Sequence, residues 1–303
     1  MAYRKGHNMS IYTGAGVAIV TPFNADRSVN FDKLGELIDF NVNNGTDCIV
    51  IVGTTGEAST LTHEEHIECI RYAVQKTAHR IPVIAGTGSN CTETEVYLSK
   101  EAYNAGADGV LLVSPYYNKA TQKGLKEHFG AVAKAVDIPI VLYNIPGRTG
   151  VNILPATIAD LAHEYDTIVG VKDATGNIPQ AMELLNRMNG DFDVYSGEDG
   201  LITPLLSIGA KGVISVLSNV APRDTHDIVA KFMAGDAKGS KELQMKYLPL
   251  INALFCEVNP IPVKHALNLM GFNVGPLRLP LTEMEPENLA RLKAEMTKVG
   301  LIK

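Results

Sequence analysis

The sequence contains no tryptophan, only four cysteines and no long apolar run. Each scarcity narrows the possibilities. Cys48, Cys69, Cys91 and Cys256 are widely separated, and no pair has C-x-x-C or finger-like spacing, which argues against a zinc site or a disulfide framework. They read as reduced thiols of a cytoplasmic protein. No stretch reaches about 18 apolar residues, so no membrane-spanning helix is expected. The first ten residues include Arg4, Lys5 and His7 but no apolar core or small-residue cleavage site, so export is not indicated. Basic charge is not in excess either. The 27 Lys and Arg residues stand against 33 Asp and Glu, a net charge of -6 spread along the chain. No basic stripe is available for a nucleic-acid backbone or an anionic membrane.

What is present is apolar punctuation at even intervals. The chain has 303 residues, 46% of them apolar, enough for one large barrel or two ordinary domains. Short β-branched runs recur at 16–20, 48–52, 82–85, 109–113, 139–142, 168–171, 192–195 and 212–216. Between most of them lie stretches with helical periodicity, such as 31–43, 64–76, 93–105, 125–136 and 158–165. Eight strand-then-helix units predict an α/β fold, a closed parallel (β/α)8 TIM barrel. The rival, an open doubly wound sheet, is weakened because no G-x-G-x-x-G follows the first run. After residue 221 the strand signal stops, and helical patterns continue at 224–234, 238–255, 263–270 and 286–298. The expected organisation is a disordered extension over 1–10, the barrel over 11–221 and an all-helical C-terminal extension over 222–303.

In such a barrel the chemistry sits at strand ends and in the loops after them. Lys172 closes the sixth run, where its side chain can point into the barrel. Gly170 shares its face and leaves room, while Asp173 points the other way. An ordinary lysine is almost wholly protonated at pH 7, and neutralising it costs roughly 4 to 5 kcal/mol, much of which apolar burial can supply. A neutral amine can attack a ketone and form an iminium, an electron sink next to the carbon that must become nucleophilic. The structural alternative is a buried lysine paired with Asp173.

Tyr143 ends the neighbouring fifth strand, where its phenol can relay protons or simply fill the core. Arg148, in the loop that follows, has a planar donor fork suited to a substrate carboxylate, or it is a surface residue. The turn Gly53-Thr54-Thr55-Gly56-Glu57 can offer backbone N–H groups and hydroxyls to a small anion, or is merely a tight connection. Thr62-His63-Glu64-Glu65-His66 lacks metal-site spacing and reads as a helix start with a Thr62–Glu65 capping box. Gly86-Thr87-Gly88-Ser89-Asn90 reads as a loop on the functional face.

Taken together, Gly53-Thr-Thr-Gly-Glu57, Ser114-Pro-Tyr-Tyr-Asn118, Tyr143-Asn-Ile-Pro-Gly-Arg-Thr-Gly150, Val171-Lys-Asp173 and Asn259-Pro-Ile-Pro-Val-Lys264 resemble the dihydrodipicolinate synthase family, from about residue 11 to 301. The turn, Tyr143 and the lysine are shared with the wider superfamily of sialic acid lyases and keto-deoxy sugar acid aldolases. Arg148, Asn259-Pro-Ile-Pro262 and Leu277-Arg-Leu-Pro280 look specific to the synthase branch.

The resemblance implies condensation of pyruvate, held as an imine on Lys172, with aspartate 4-semialdehyde in lysine and diaminopimelate synthesis, without metal or cofactor. It implies Thr54, Tyr143 and Tyr117 as the proton relay, Tyr117 crossing a dimer interface within a dimer of dimers. It places the pyruvate carboxylate on Thr54 and Thr55, with Ile214 and Gly197 lining the pocket and Arg148 binding the semialdehyde carboxylate. Family members inhibited by lysine use residues resembling Ser59, His63, His66, Asn90 and Tyr116, but Thr94 stands where they place a glutamate. Weak or absent lysine sensitivity is the expectation. A sugar acid aldolase would share the imine without needing Arg148. A silent metabolite-binding barrel would have no use for a buried amine.

Overall fold

The computed structural model describes residues 10–189 and 192–303, so the extension expected over 1–10 lies, apart from Ser10, outside the described residues. Eight parallel strands pair in chain order and close on themselves through β1 and β8. They are β1 (Gly14–Ala18), β2 (Cys48–Ile51), β3 (Val83–Gly86), β4 (Gly109–Val113), β5 (Ile140–Asn144), β6 (Ile168–Asp173), β7 (Asp193–Ser196) and β8 (Gly212–Ser215). The helices between them are α1 (Phe31–Asn43), α2 (His63–Thr77), α3 (Thr92–Asn104), α4 (Gln122–Ala133), α5 (Pro146–Thr149), α6 (Pro155–Glu164), α7 (Ile178–Arg187) and α8 (Ile202–Ser207). Then follow α9 (Pro222–Met233), α10 (Ala237–Leu254), α11 (Ile261–Leu269) and α12 (Pro286–Val299).

Local chemistry explains several of the starts. Asn30 accepts from the Lys33 N–H at the head of α1, and Thr121 from the Gly124 N–H at the head of α4. The expected capping box opens α2, with Thr62 and Glu65 each bonding the other's backbone N–H. His63 and His66 therefore begin a helix. Among the described residues, no group of three His, Cys, Asp or Glu side chains could hold a metal, and no helix is long and apolar enough to cross a membrane. All four cysteines are free.

The strands are apolar on both faces because both faces are buried. Val17, Ile19, Ile49 and Ile51 point outward into the layer under the helices. Ala18, Cys48, Val50, Ile84, Leu111 and Val141 fill the barrel interior together with Tyr143, Tyr195 and Ile214. Each Val, Leu or Ile among them contributes about 1.5–3 kcal/mol of burial.

Two strands run further than their apolar runs suggest. β5 and β6 continue to Asn144 and Asp173, because Tyr143 still pairs with Lys172 and Asn144 with Asp173. Polar residues hide a strand end from hydropathy without interrupting its ladder. α9, which follows residue 221, packs on β1 and β8. α10 covers α9, and α12 packs on α10 and α11.

Candidate active site

Lys172 sits one residue from the end of β6, paired in register with Tyr143 of β5 on one side and Tyr195 of β7 on the other. It is 6% exposed, and its Nζ lies 4.3 Å from the centre of the Tyr143 ring. Among the described residues no carboxylate forms an ion pair with it. Burial lowers its pKa to about 8, opposed by the charge of Asp199 and assisted by that of Arg148. About a tenth of the amine is then neutral at pH 7, against less than roughly a thousandth for an ordinary lysine. The alternative of a Lys172–Asp173 pair is not what the structure holds. Asp173 turns away and accepts from the Thr175 N–H and hydroxyl at 2.9 and 2.7 Å.

The glycine that makes room for the lysine is Gly197, not Gly170. A Cβ on Gly197 would stand 3.1 Å from Lys172 Cγ and 2.7 Å from Ala174 Cβ. A Cβ on Gly170 would instead strike the Asp193 carbonyl oxygen at 2.7 Å, so that glycine serves the close approach of β7. Alternation along β6 identifies the shared face correctly, but which neighbour fills the gap depends on the barrel's stagger.

Tyr143 is buried, and burial pushes its phenol up to about 12, with Arg148 and the Thr54 hydroxyl pulling the other way. It is therefore a neutral O–H at neutral pH, able to pass a proton on. Thr54 is exposed while Thr55 is buried, its hydroxyl accepting from Asn259 Nδ2 at 2.9 Å. Arg148 is exposed on α5 and donates to the Asn259 carbonyl at 3.2 Å. Thr54, Tyr143 and Arg148 line one cavity of about 490 Å³. Ile214, on β8, belongs to the same buried interior cluster as Tyr143.

The same cavity is lined by Ser59, His63, His66, Thr94 and Tyr116 and, among the described residues, by no carboxylate. His66 is buried, its Nε2 2.7 Å from the Gly86 carbonyl, and burial lowers its pKa. Asn90 stands beside this group and donates to the Tyr116 carbonyl at 3.1 Å. Tyr117 is not brought to Lys172 within the chain. It is 91% exposed, at the centre of a tight turn closed by Asn118 N–H to Tyr116 O at 2.9 Å, with φ at 72°. A bulky side chain is rarely held there, and such strain tends to mark functional positions.

Two residues of the site were not singled out by sequence reasoning. Asp199 is 1% exposed, and its Oδ2 accepts from the N–H groups of Val216 and Leu217 at 3.0 and 2.9 Å. It thereby fixes the turn after Ile214 and places a carboxylate near Lys172. Its position three residues past a strand end was the available signal. Asn259 was noticed only as part of a motif. Its role in joining Thr55 to Arg148 spans more than a hundred residues and is invisible to local patterns.

The model of the dihydrodipicolinate synthetase family matches residues 12–299. A 4-hydroxy-tetrahydrodipicolinate synthase of Lachnoclostridium phytofermentans is 68% identical, over 97% of this chain and 100% of that protein. The crystal structure of dihydrodipicolinate synthase from Aquifex aeolicus superposes with a TM-score of 0.94 at 47% identity, covering 95% of this chain and 98% of that one. A chloride-inhibited dihydrodipicolinate synthase from Acinetobacter baumannii, complexed with pyruvate, superposes with a TM-score of 0.93 at 46% identity, over 96% and 99%.

Proposed function

Because this chain belongs to the dihydrodipicolinate synthetase family and has 4-hydroxy-tetrahydrodipicolinate synthase activity, we propose that its reaction runs through a Schiff base between pyruvate and Lys172. The observation that carries the reading is a buried lysine with no ion-pair partner among the described residues, its pKa lowered to about 8, lying against a neutral phenol. The neutral Nζ adds to the pyruvate ketone, and loss of water leaves an iminium. Loss of a proton from the pyruvate methyl gives an enamine, whose carbon attacks the aldehyde of aspartate 4-semialdehyde. The semialdehyde's own amine then closes the ring and displaces Lys172. The iminium is itself the electron sink, so no metal or cofactor is needed.

Tyr143 and Thr54 pass the protons, and Thr54 and Thr55 receive the pyruvate carboxylate. Arg148, exposed at the cavity's edge, takes the carboxylate of the semialdehyde. Gly197 and Ile214 shape the imine pocket. The strained, outward-facing Tyr117 completes the relay in a neighbouring subunit of a homotetramer. Free cysteines fit a reducing cytoplasm. Thr94, which lines the cavity with His63 and His66 where the resemblance places a glutamate, supports weak lysine sensitivity, which full inhibition at micromolar lysine would refute.

The test is turnover of pyruvate plus aspartate 4-semialdehyde, coupled to dihydrodipicolinate reductase, with borohydride trapping of pyruvate in parallel. Activity and a covalent adduct are both expected in the intact enzyme and absent in Lys172→Ala. An adduct formed equally well in the variant would remove Lys172 from the mechanism.

A further inference from the structure

The turn carrying Thr54 and Thr55 is anchored from outside the barrel. Glu57, its last residue, is held in the left-handed region at φ 54°, and its side chain is fully buried. Its Oε1 meets Lys264 Nζ at 2.8 Å, the lysine being 1% exposed. The same Nζ donates to the Thr21 carbonyl at 3.2 Å and the Pro276 carbonyl at 2.6 Å, which commits all three of its protons. Glu57 Oε2 accepts from the Arg278 N–H at 3.0 Å, and Thr21 Oγ1 donates to the Gly56 carbonyl at 2.6 Å. Two segments of the C-terminal region, reaching back over more than 200 residues of sequence, thus grip the single residue that follows the Thr54-Thr55-Gly56 sequence.

A buried ion pair is a poor device for stability alone, since apolar side chains of the same volume commonly stabilise as well or better. What this pair supplies is a direction. Glu57 meets Lys264 and Arg278 together from the left-handed conformation of its own backbone, which directs the turn that carries Thr54 and Thr55. We propose that Glu57 and Lys264 are a positioning pair for the pyruvate carboxylate site. They touch no reacting atom and act through the Thr54–Thr55 backbone. The inference rests on the assignment of that turn to the pyruvate carboxylate.

The experiment compares Glu57→Gln and the double variant Glu57→Gln/Lys264→Met with the intact enzyme. In both variants the KM for pyruvate rises about tenfold or more, since small misplacements of a binding group are costly. The KM for the semialdehyde stays within about twofold, kcat falls less than KM rises, and borohydride traps the adduct fully at saturating pyruvate. If melting temperatures fall while the pyruvate KM stays within about twofold, the pair is only a structural strut and the proposal is wrong. Should the double variant fail to fold, Glu57→Gln decides alone, because its amide keeps the shape and an oxygen for Lys264. An intact enzyme that borohydride cannot trap with pyruvate would sink the Schiff-base reading itself. A trapped intact enzyme with unaltered variants sinks only the positioning pair.

Discussion

Lys172 and Lys264 are both almost wholly enclosed, and burial lowers the pKa of each, yet their surroundings differ. Lys264 meets a carboxylate and two carbonyls at hydrogen-bond distance, and Glu57 works against the burial. Lys172 faces a tyrosine ring, with the charge of Asp199 felt but not paired. Burial without a partner leaves an amine that gives up its proton near neutral pH. Burial with a partner leaves a cation that holds two segments together. The same low-dielectric interior thus gives one lysine the readier deprotonation that the proposed Schiff base needs and gives the other an ion pair, and the partner decides which.

Substitution by methionine, which keeps the stem and removes the charge, should separate the two most sharply. Lys172→Met should lose about 10³-fold or more in coupled turnover while its melting temperature holds or rises, because a desolvated, unpaired amine is removed. Lys264→Met should show the reverse emphasis. It leaves Glu57 buried without its partner, and a loss of about 3–5 kcal/mol in denaturant unfolding is expected. Equal melting behaviour in the two variants would break the comparison.

A smaller effect sharpens the account of Lys172. Its neutral form appears as pH rises through about 8, so kcat/KM for pyruvate should climb about tenfold per pH unit below that value and level off above it. Asp199 favours the charged amine, so Asp199→Asn should move the inflection to lower pH. An inflection that stays in place would mean Asp199 acts on the turn after β8 alone.

The smallest effect belongs to the opposite end of the barrel. There Asp47 accepts from the Ala15 N–H at 2.7 Å and lies 2.8 Å from His226 Nδ1, which raises the histidine's pKa. That stabilisation is complete below the ordinary histidine value of 6.5 and is lost as pH rises through the raised one. Asp47→Asn should cost about 1 kcal/mol at pH 6, less at pH 8, and leave turnover unchanged. A change in kcat would show that the two ends are not independent.

The barrel itself was legible because eight apolar runs are enough to record strands buried on both faces. Lys172, Tyr143 and Arg148 stood out as candidates because reactive groups in this fold gather near strand ends, although the apolar runs stop two residues short of the ends of β5 and β6. Gly170 was misread because alternation says which residues share a face and not what lies across the gap. Asp199 escaped because its two backbone partners follow a different strand.

By itself the sequence determined the order of elements, the capping of α2 and the placement of a lysine on an inward face, since each depends on residues within a turn or a strand of one another. Only the tertiary structure decided which buried lysine would be left without a counter-ion. It alone let Asn259, Lys264 and Arg278 return to govern the turn that carries Thr54 and Thr55. Charge pairing across more than 200 residues has no local signature; it exists only when the closed barrel and the helices behind it bring the partners within about 3 Å.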